Sequence, residues 1–244
     1  MTIFKFIFLA LAGTGSIALA LPAYGQNSEL ARARDSNFNN GYSLAPAEAG
    51  SLQGSPFLLP AWSAATLRLA AGERVVSAPL KYDVYRQELR VRRPQGDSVV
   101  LPLAQVREFS LTGTTPARRF VCYPPTSLPA EVSGAAAEVL FEGANAQLLK
   151  FVRKEVVKKT IDSGSYATTT TISVLDEQTH YYLRWSPSGQ LVGLRLKRAS
   201  LEQALAGRPA ALAALKSRKG SLGSEVELVA AVAALDPLLA PAGH

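Results

Sequence analysis

The stretch LKYDVYRQELRVRRPQGDSVVLPL, residues Leu80–Leu103, decides the fold because it alternates apolar and polar residues almost without interruption. Successive side chains of a β-strand point to opposite faces, so this period of two predicts strands with one apolar face. The motifs YRQE and RPQGD interrupt the alternation with residues typical of turns. We expect an antiparallel meander from about residue 65 to 112 with one buried face. The residues predicted to face its core are Leu67, Leu80, Tyr82, Leu89 and Val91.

The opposite face of this meander is strongly basic. The favoured interpretation is a solvated face whose Lys and Arg side chains keep the sheet soluble and protect its edges. The alternative is a surface that binds anions. A nucleic-acid surface would interleave aromatic and basic side chains, and only Tyr85 could stack on a base, so no nucleic-acid partner is predicted. The side chains predicted to face outward together are Arg68, Lys81, Asp83, Arg90 and Arg92.

A second basic run, VRKEVVKKT, lies further along the chain. Strand and helix both fit the apolar spacing of residues 147–160, and strand is favoured because β-branched residues and a nearby turn dominate. Together with the meander, this run defines a candidate anion-binding face. Its predicted members are Arg68, Lys81, Arg90, Arg92, Lys150, Lys154 and Lys158.

The β pattern spans a body from about residue 56 to 199, predicted as one unit or as two subdomains with a break near residues 113–135. The motif PFLLPAW places Trp62 in a dense apolar anchor, which we expect to plug one end of the core. Hairpins are predicted around EGAN, and around SPSG between THYYLRW and GQLVGLRLKR.

Between residues 200 and 239 the spacing of apolar residues changes to one typical of helices. Ser200 and Ser224 each stand three residues before a Gln or a Glu, the spacing of a capping box, and Pro209 suits the first turn of a helix. We expect two or three short helices that pack on the β body. The predicted fold class is therefore α+β, mainly β, with an antiparallel meander that is barrel-like or part of a sandwich.

The N-terminus has the layout of a secretory signal peptide. Lys5 precedes an apolar run of about 16 residues, shorter than the roughly 20 of a membrane-spanning helix, and a small-x-small triplet ends at Gly25. We predict a signal peptide over residues 1–25, a flexible mature N-terminus over residues 26–55, and no transmembrane segment after cleavage. The predicted location is the periplasm, the outer membrane or the medium outside the cell.

Residue types that support catalysis or metal binding are sparse. The chain has one Cys, Cys122, and two His, His180 and His244, which do not form a recognisable zinc site. Cys122 lies in an apolar run and is predicted to be buried and inert. The sequence contains no P-loop and no G-x-S-x-G nucleophile elbow. No catalytic residue, metal or cofactor is predicted.

Three segments carry a family resemblance: PAWSAATLRLAAGERVVSAPLKYDVYRQELRVRRPQGDSVVLPLAQVREFSL, EVLFEGANAQLLK and HYYLRW. They resemble a set of uncharacterised exported proteins of Gram-negative bacteria, in which an aromatic anchor precedes a strand like G-x-x-L-K-Y-D and a strand like F-x-L. The resemblance covers most of residues 56–235, although Ala64 and Ala65 replace a Gly near the first strand. It implies a β-rich exported module with C-terminal helices and no known activity, and it carries over no functional residue.

These observations favour a non-enzymatic function. A net charge of +7 indicates attraction to anionic material, but it does not indicate a mechanism. The leading prediction is a binding or scaffolding module of the cell envelope, with an envelope protein or an anionic polymer as its partner. The first alternative is a hydrolase that acts on envelope polysaccharide through carboxylates or Ser. The second is a polyanion-binding surface protein that uses the basic face.

Overall fold

A computed structural model describes residues 52–71, 75–162 and 169–240. The predicted signal peptide and most of the predicted flexible segment lie outside the described residues. The described part is mainly β, as predicted, with one large mixed sheet and three short helices near the C-terminus. The strands are β1 (Leu52–Gln53), β2 (Ser63–Leu69), β3 (Val75–Asp83), β4 (Glu88–Arg92), β5 (Ser98–Pro102), β6 (Val106–Leu111), β7 (Arg118–Cys122), β8 (Ala136–Glu142), β9 (Ala146–Asp162), β10 (Thr169–Trp185) and β11 (Leu191–Leu194). The helices are α1 (Arg198–Ala204), α2 (Pro209–Ser217) and α3 (Glu225–Leu235).

The meander forms as the two-residue period predicts. Strands β2 to β5 pair antiparallel in chain order. At the turn between β3 and β4, Gln87 takes a left-handed φ of 59°, and its side-chain amide donates a hydrogen bond to the carbonyl of Val84 at 2.7 Å. The predicted core face is confirmed, because the following side chains are all buried: Leu67, Leu80, Tyr82, Leu89 and Val91.

One acidic residue that was predicted to lie on the outward face of the meander is buried instead. Asp83 was predicted to face outward with the cations, and this prediction is wrong, because its exposed fraction is 0%. Its carboxylate accepts hydrogen bonds from the backbone amides of Tyr85 and Arg86, at 3.0 and 2.8 Å, and so fixes the turn after β3. Phe57 also pairs with Asp83 in an isolated bridge. The preceding chain therefore covers this end of β3.

The sheet continues from the meander through a non-local pairing. Strand β6 pairs with β2 rather than with β5, and β7, β8, β9 and β10 follow in order. The strands on both sides of residues 113–135 thus belong to one sheet. Strand β1, which lies at the end of the segment predicted to be flexible, pairs parallel with β10 and makes the sheet mixed.

The sheet is not closed into a barrel. Two hydrogen bonds nevertheless join the end of β3 to the middle of β9. The amide of Lys154 donates to the carbonyl of Val84 at 3.0 Å, and the side chain of Gln87 donates to the carbonyl of Val152 at 3.3 Å. We call this contact the β3–β9 seam.

Apolar side chains of the described residues form clusters against the sheet. Near the seam, the rings of Tyr82, Phe109 and Phe120 have centroids 4.6 to 5.9 Å apart. At the other end, Leu148 and Leu183 of the β9–β10 hairpin pack with the buried residues of the three helices. Burial of these apolar side chains provides most of the favourable free energy of folding.

The region 147–160 is a strand, as favoured. Strands β9 and β10 each have 17 residues and pair over their whole length. Strand β8 pairs with β9 only as far as Phe151. The last part of the hairpin therefore extends beyond the β8 edge of the sheet.

The helices begin and end largely at the predicted signals. The capping box at Ser224 is present, and Pro209 is the first residue of α2. The prediction of a capping box at Ser200 is wrong, because α1 begins at Arg198. The Ser200 hydroxyl instead accepts a hydrogen bond from the amide of Arg195 at 3.0 Å. Within the described ranges, the helices all lack the length and apolar character needed to cross a bilayer.

Candidate functional site

A cleft of about 600 Å³ opens where the β10–β11 hairpin meets the helices and the end of the described chain. Small-molecule sites commonly have volumes of about 300–1,000 Å³. The apolar part of its lining includes Val192, Ala204 and Leu238, and its neutral polar part includes Ser188 and Gln190. The cleft therefore has the size and mixed lining of a ligand site.

The charged group in the cleft is the guanidinium of Arg208. Its central carbon lies 4.1 Å from the centroid of the Trp185 ring, a stacking distance for a cation on an aromatic face. One of its nitrogens, Nη1, donates a hydrogen bond to the carbonyl of Leu239. Among the described residues, no carboxylate forms an ion pair with Arg208. The cation is thus held in place by a ring and a carbonyl, and neither neutralises its charge.

Local sequence fixes both members of this pair. Trp185 is the last residue of β10, and its amide donates to the carbonyl of Gln190 at 2.9 Å across the hairpin. Gly189 provides the left-handed φ of 72° that this turn needs. Arg208 directly precedes Pro209, whose ring suits the first position of α2. The hairpin and the helix start therefore bring together two residues that are distant in sequence.

The polar groups in the described lining of the cleft are few. Among its described lining residues, Ser188 has a hydroxyl, but none has a carboxylate, an imidazole or a thiol. General acid–base catalysis needs a titratable group within hydrogen-bond reach of the substrate. The polar side chains that the described lining offers to a ligand are those of Arg208, Ser188 and Gln190.

A second candidate site lies on the outer face of the meander. Lys81 and Arg90 are directly opposite each other in the β3–β4 ladder. The Phe57 ring lies 4.8 Å from the Lys81 ammonium and 5.5 Å from the Arg90 guanidinium. The Trp62 ring lies 5.4 Å from Lys81 and 5.9 Å from Arg92. We call these five residues the basic aromatic cluster.

The position of Trp62 corrects a prediction. Trp62 was expected to plug one end of the core, but it is half-buried on the outer face, where it contacts cations. The chain before β2 runs beside the end of β3, where the amide of Leu58 donates to the carbonyl of Tyr82 at 2.9 Å. This path places the aromatic anchor over the basic side of the sheet. The basic row is therefore partly covered by rings rather than fully solvated.

The other four predicted cations are not among these five residues. Arg68 lies in β2, with its Nε 3.5 Å from the carboxylate of Glu108. Lys150 lies in β9, with its ammonium 2.7 Å from the carboxylate of Glu225 at the start of α3. Each of these two cations already has an acidic partner.

The remaining two predicted cations lie further along β9. Lys154 donates hydrogen bonds to the carbonyls of Ser55 and Phe57, at 3.0 and 2.9 Å, and so ties the aromatic anchor to the sheet. Lys158 is exposed on the extended part of the hairpin. Lys154 therefore contacts the basic aromatic cluster at Phe57, while Arg68 and Lys150 are paired with acids outside it.

Partly buried polar residues connect the sheet to α3. Arg118 donates two hydrogen bonds to the carboxylate of Glu138, at 2.6 and 2.7 Å, and Glu138 is only 6% exposed. The Glu138 hydrogen bonds raise the pKa of Arg118. Beyond Glu138, the hydroxyl of Tyr181 donates to Glu225 at 2.9 Å. Every charged member has a partner, so the network is explained by stability.

The residues whose side chains could act in catalysis or bind a metal do not lie together. Burial raises the pKa of the Cys122 thiol to about 12, so the thiolate is scarce at neutral pH. His180 lies within β10 opposite Phe151, away from the lining of the cleft. In the part of the chain that the structure describes, no group of three His, Cys, Asp or Glu residues could hold a metal ion.

Sequence reasoning did not single out Trp185 and Arg208 as site residues. The available signals were an Arg directly before a helix-starting Pro and a Trp directly before a predicted turn. Both signals concern the ends of elements, and they do not show that the two ends meet.

No family model, curated protein or solved structure matches this chain. The resemblance to exported proteins of Gram-negative bacteria therefore stays a prediction.

Proposed function

We propose that this protein is an exported, non-enzymatic binding protein whose cleft takes a small anionic ligand with an apolar portion. The observation that carries the proposal is the Arg208 guanidinium, stacked 4.1 Å from the Trp185 ring inside a cleft of about 600 Å³. Export enters the proposal through the predicted signal peptide at residues 1–25.

The anionic group of the ligand follows from the chemistry of Arg208. A guanidinium has five N–H donors in a planar fork that fits a carboxylate or a phosphate. Nη1 donates to Leu239, which leaves other donors for a ligand. The Trp185 ring fixes the plane of the fork, so less side-chain freedom is lost when the anion binds.

The apolar portion follows from the walls of the cleft. Val192, Ala204 and Leu238 line it, and the exposed fraction of Leu238 is 42%. A ligand that covered Leu238 would gain apolar burial at about 25 cal/mol per Å². A short-chain or medium-chain carboxylate has both required parts.

The test is a fluorescence titration of the mature protein with octanoate. A Trp62→Phe background leaves Trp185 as the only Trp, so its emission reports on the cleft. We expect saturable quenching by octanoate and weaker effects from octanol, which lacks the charge, and acetate, which lacks the chain. Arg208→Gln should weaken octanoate binding by roughly ten-fold or more, because a charge-assisted bidentate contact is lost.

The matched control is Arg195→Gln, which removes an exposed cation from outside the lining. It should bind octanoate like the parent protein. The proposal is wrong if neither octanoate nor octyl phosphate binds saturably, or if Arg208→Gln and Arg195→Gln have equal affinities.

The basic aromatic cluster supports a second candidate function, the binding of an anionic polymer. Lys81 lies directly opposite Arg90, and no carboxylate among the described residues forms an ion pair with Lys81, Arg90 or Arg92. An Arg90→Gln/Arg92→Gln variant should elute from a heparin column at lower salt than the parent, whereas Lys216→Gln, on α2, removes only one distant charge. Retention that does not weaken as salt rises would contradict a charge-driven contact.

A further inference from the structure

Strand β11 has an open edge on the side that faces away from β10. Among the described residues, β10 alone pairs with β11, and no backbone hydrogen bond joins Leu191 or Gly193 to any other element. Gly193 is also exposed. An unpaired strand edge is a template for another strand. We call residues 191–193 the open edge.

The hydrogen bonds of the β10–β11 hairpin show which backbone groups point off this edge. The amide of Trp185 donates to the carbonyl of Gln190 at 2.9 Å, so these two residues form a hydrogen-bonded pair. Hydrogen-bonded and non-hydrogen-bonded pairs alternate along an antiparallel ladder. Val192 therefore bonds to β10, whereas the amide and carbonyl groups of Leu191 and Gly193 point outward.

The open edge ends at the start of α1. By the same alternation, the next amide that points outward after Gly193 is that of Arg195, and it donates to the hydroxyl of Ser200 at 3.0 Å. Ser200 belongs to α1, so the helix occupies this position. An added strand therefore has room opposite residues 190–193, and it must leave the sheet after four residues.

The cleft adjoins the other end of the open edge. Gln190 and Val192 line the cleft, whereas Leu191 between them does not. Alternate side chains of a strand share a face, so the even-numbered residues face the cleft. Arg208 stacks on Trp185, the ladder partner of Gln190. The cation of the cleft therefore lies where β11 begins.

We propose that the ligand of the cleft is the C-terminal end of a peptide, which adds to the open edge as a strand antiparallel to β11. This inference rests on the proposed function, because the terminal carboxylate is the anion that Arg208 binds. The position of Arg208 sets the direction, since a parallel strand would end near Arg195 instead. In strand addition, backbone hydrogen bonds provide affinity and pockets for alternate side chains provide specificity.

The cleft also sets the register. With the last peptide residue opposite Gln190, its side chain and that of the third-last residue, opposite Val192, lie on the cleft face, because opposite residues of a ladder share a face. The second-last and fourth-last residues then form hydrogen-bonded pairs with Leu191 and Gly193, with four backbone hydrogen bonds in total.

Other registers lose part of this fit. A shift by one residue would turn the last side chain to the opposite face, away from the cleft. A shift by two in one direction would place the last residue opposite Val192. This would leave Leu191 without a strand partner and move the carboxylate roughly 7 Å along the strand from Arg208. A shift by two in the other direction would run into the turn at Ser188.

The test uses the peptide acetyl-Thr-Val-Thr-Leu with a free carboxylate, titrated into the Trp62→Phe protein with the emission of Trp185 as the readout. We expect saturable binding, and binding of the C-terminal carboxamide that is weaker by roughly ten-fold or more, because the charge is lost. N-methylation of either Thr removes a donor to the open edge and should weaken binding by roughly ten-fold. N-methylation of the Val or the Leu is the matched control, since those amides point away from β11.

Hydrogen exchange followed by NMR tests the open edge from the side of the protein. The amide protons of Leu191 and Gly193 should exchange rapidly with deuterated water in the free protein, and saturating peptide should slow both by roughly ten-fold or more. The amide of Val192, which already bonds to β10, is the internal control. Octanoate should leave Leu191 and Gly193 unprotected, because it has no backbone groups to pair with them.

The outcomes separate this inference from the proposed function. The peptide proposal is wrong if octanoate binds and the peptide does not, if the four N-methylated peptides bind equally, or if the peptide leaves exchange at Leu191 and Gly193 unchanged. In each of these cases the cleft still binds a small anionic ligand. Absence of saturable binding by octanoate, octyl phosphate and the peptide alike would overturn the proposed function as well.

Discussion

The carboxylate of Asp236 lies against Gly143, so closely that a β-carbon at position 143 would overlap it. From this position Asp236 accepts hydrogen bonds from the amides of Ala144, Asn145 and Ala146, at 2.9, 3.1 and 2.9 Å. One buried carboxylate after α3 thereby holds the turn between β8 and β9.

Substitutions at either residue should therefore destabilise the fold. Asp236→Ala leaves three amide donors without their acceptor and should lower the free energy of unfolding by about 2–4 kcal/mol. Gly143→Ala should lower it by about 1–3 kcal/mol through overpacking. Urea denaturation followed by circular dichroism measures both changes. Gly223→Ala is the control, because a β-carbon there meets nothing within 4 Å, and a loss as large as that of Gly143→Ala would contradict the steric argument.

The pair of Arg118 and Glu138 should contribute more to stability than an exposed pair on the same strand. Glu138→Gln leaves a partly buried guanidinium without its counter-ion and should cost about 2–4 kcal/mol. Arg119 and Glu142 form a pair whose side chains are 43% and 46% exposed, so Arg119→Gln should cost less than about 1 kcal/mol. Double-mutant cycles by chemical denaturation compare the two pairs, and equal coupling energies would contradict this ranking.

The stability should fall at alkaline pH. Burial raises the pKa of Tyr82, Tyr181 and Tyr182 above the ordinary value of 10.0. Above about pH 10 the unfolded chain therefore releases phenol protons that the folded chain keeps, and unfolding becomes more favourable as pH rises. Tyrosinate absorption should show that these phenols stay protonated until the protein unfolds. Tyr82→Phe should reduce the pH dependence, and full ionisation of all tyrosines near pH 10 in the folded protein would contradict this expectation.

The thiol of Cys122 should be unreactive in the folded protein. Its pKa of about 12, raised by burial, leaves very little thiolate at pH 8, and the thiolate is the reactive form. Ellman's reagent should label it slowly in buffer and rapidly in denaturant. A Ser217→Cys variant, with an exposed position on α2, provides the fast reference. Equal rates for the two thiols in buffer would show that Cys122 is accessible.

The strands and their buried face could be predicted because the two-residue period is local. Leu80 and Val91 each face the core for reasons contained in their own strand. The pairing of β6 with β2 could not be predicted, because nothing within β6 specifies which distant strand it meets. The burial of Asp83 has the same origin, since Phe57 comes from another segment.

The candidate sites were less predictable than the fold. Lys81 and Arg90 could be placed on one face from their spacing, but the rings that cover them depend on the path of the chain before β2. Trp185 and Arg208 are brought together by the packing of a helix start against a hairpin. The sequence contains both residues, but neither has a local pattern that identifies the other.

The β3–β9 seam is a junction with few hydrogen bonds. One backbone hydrogen bond, from Lys154 to Val84, and one side-chain hydrogen bond, from Gln87 to Val152, cross it, whereas β3 is joined to β2 and to β4 by ladders. Cooperative subglobal opening follows the boundaries with the fewest bonds. The seam should consequently open before the β9–β10 hairpin separates, while the β2–β6 ladder still holds the meander, and the amide proton of Lys154 should exchange with deuterated water faster than the amide protons that bond β9 to β10.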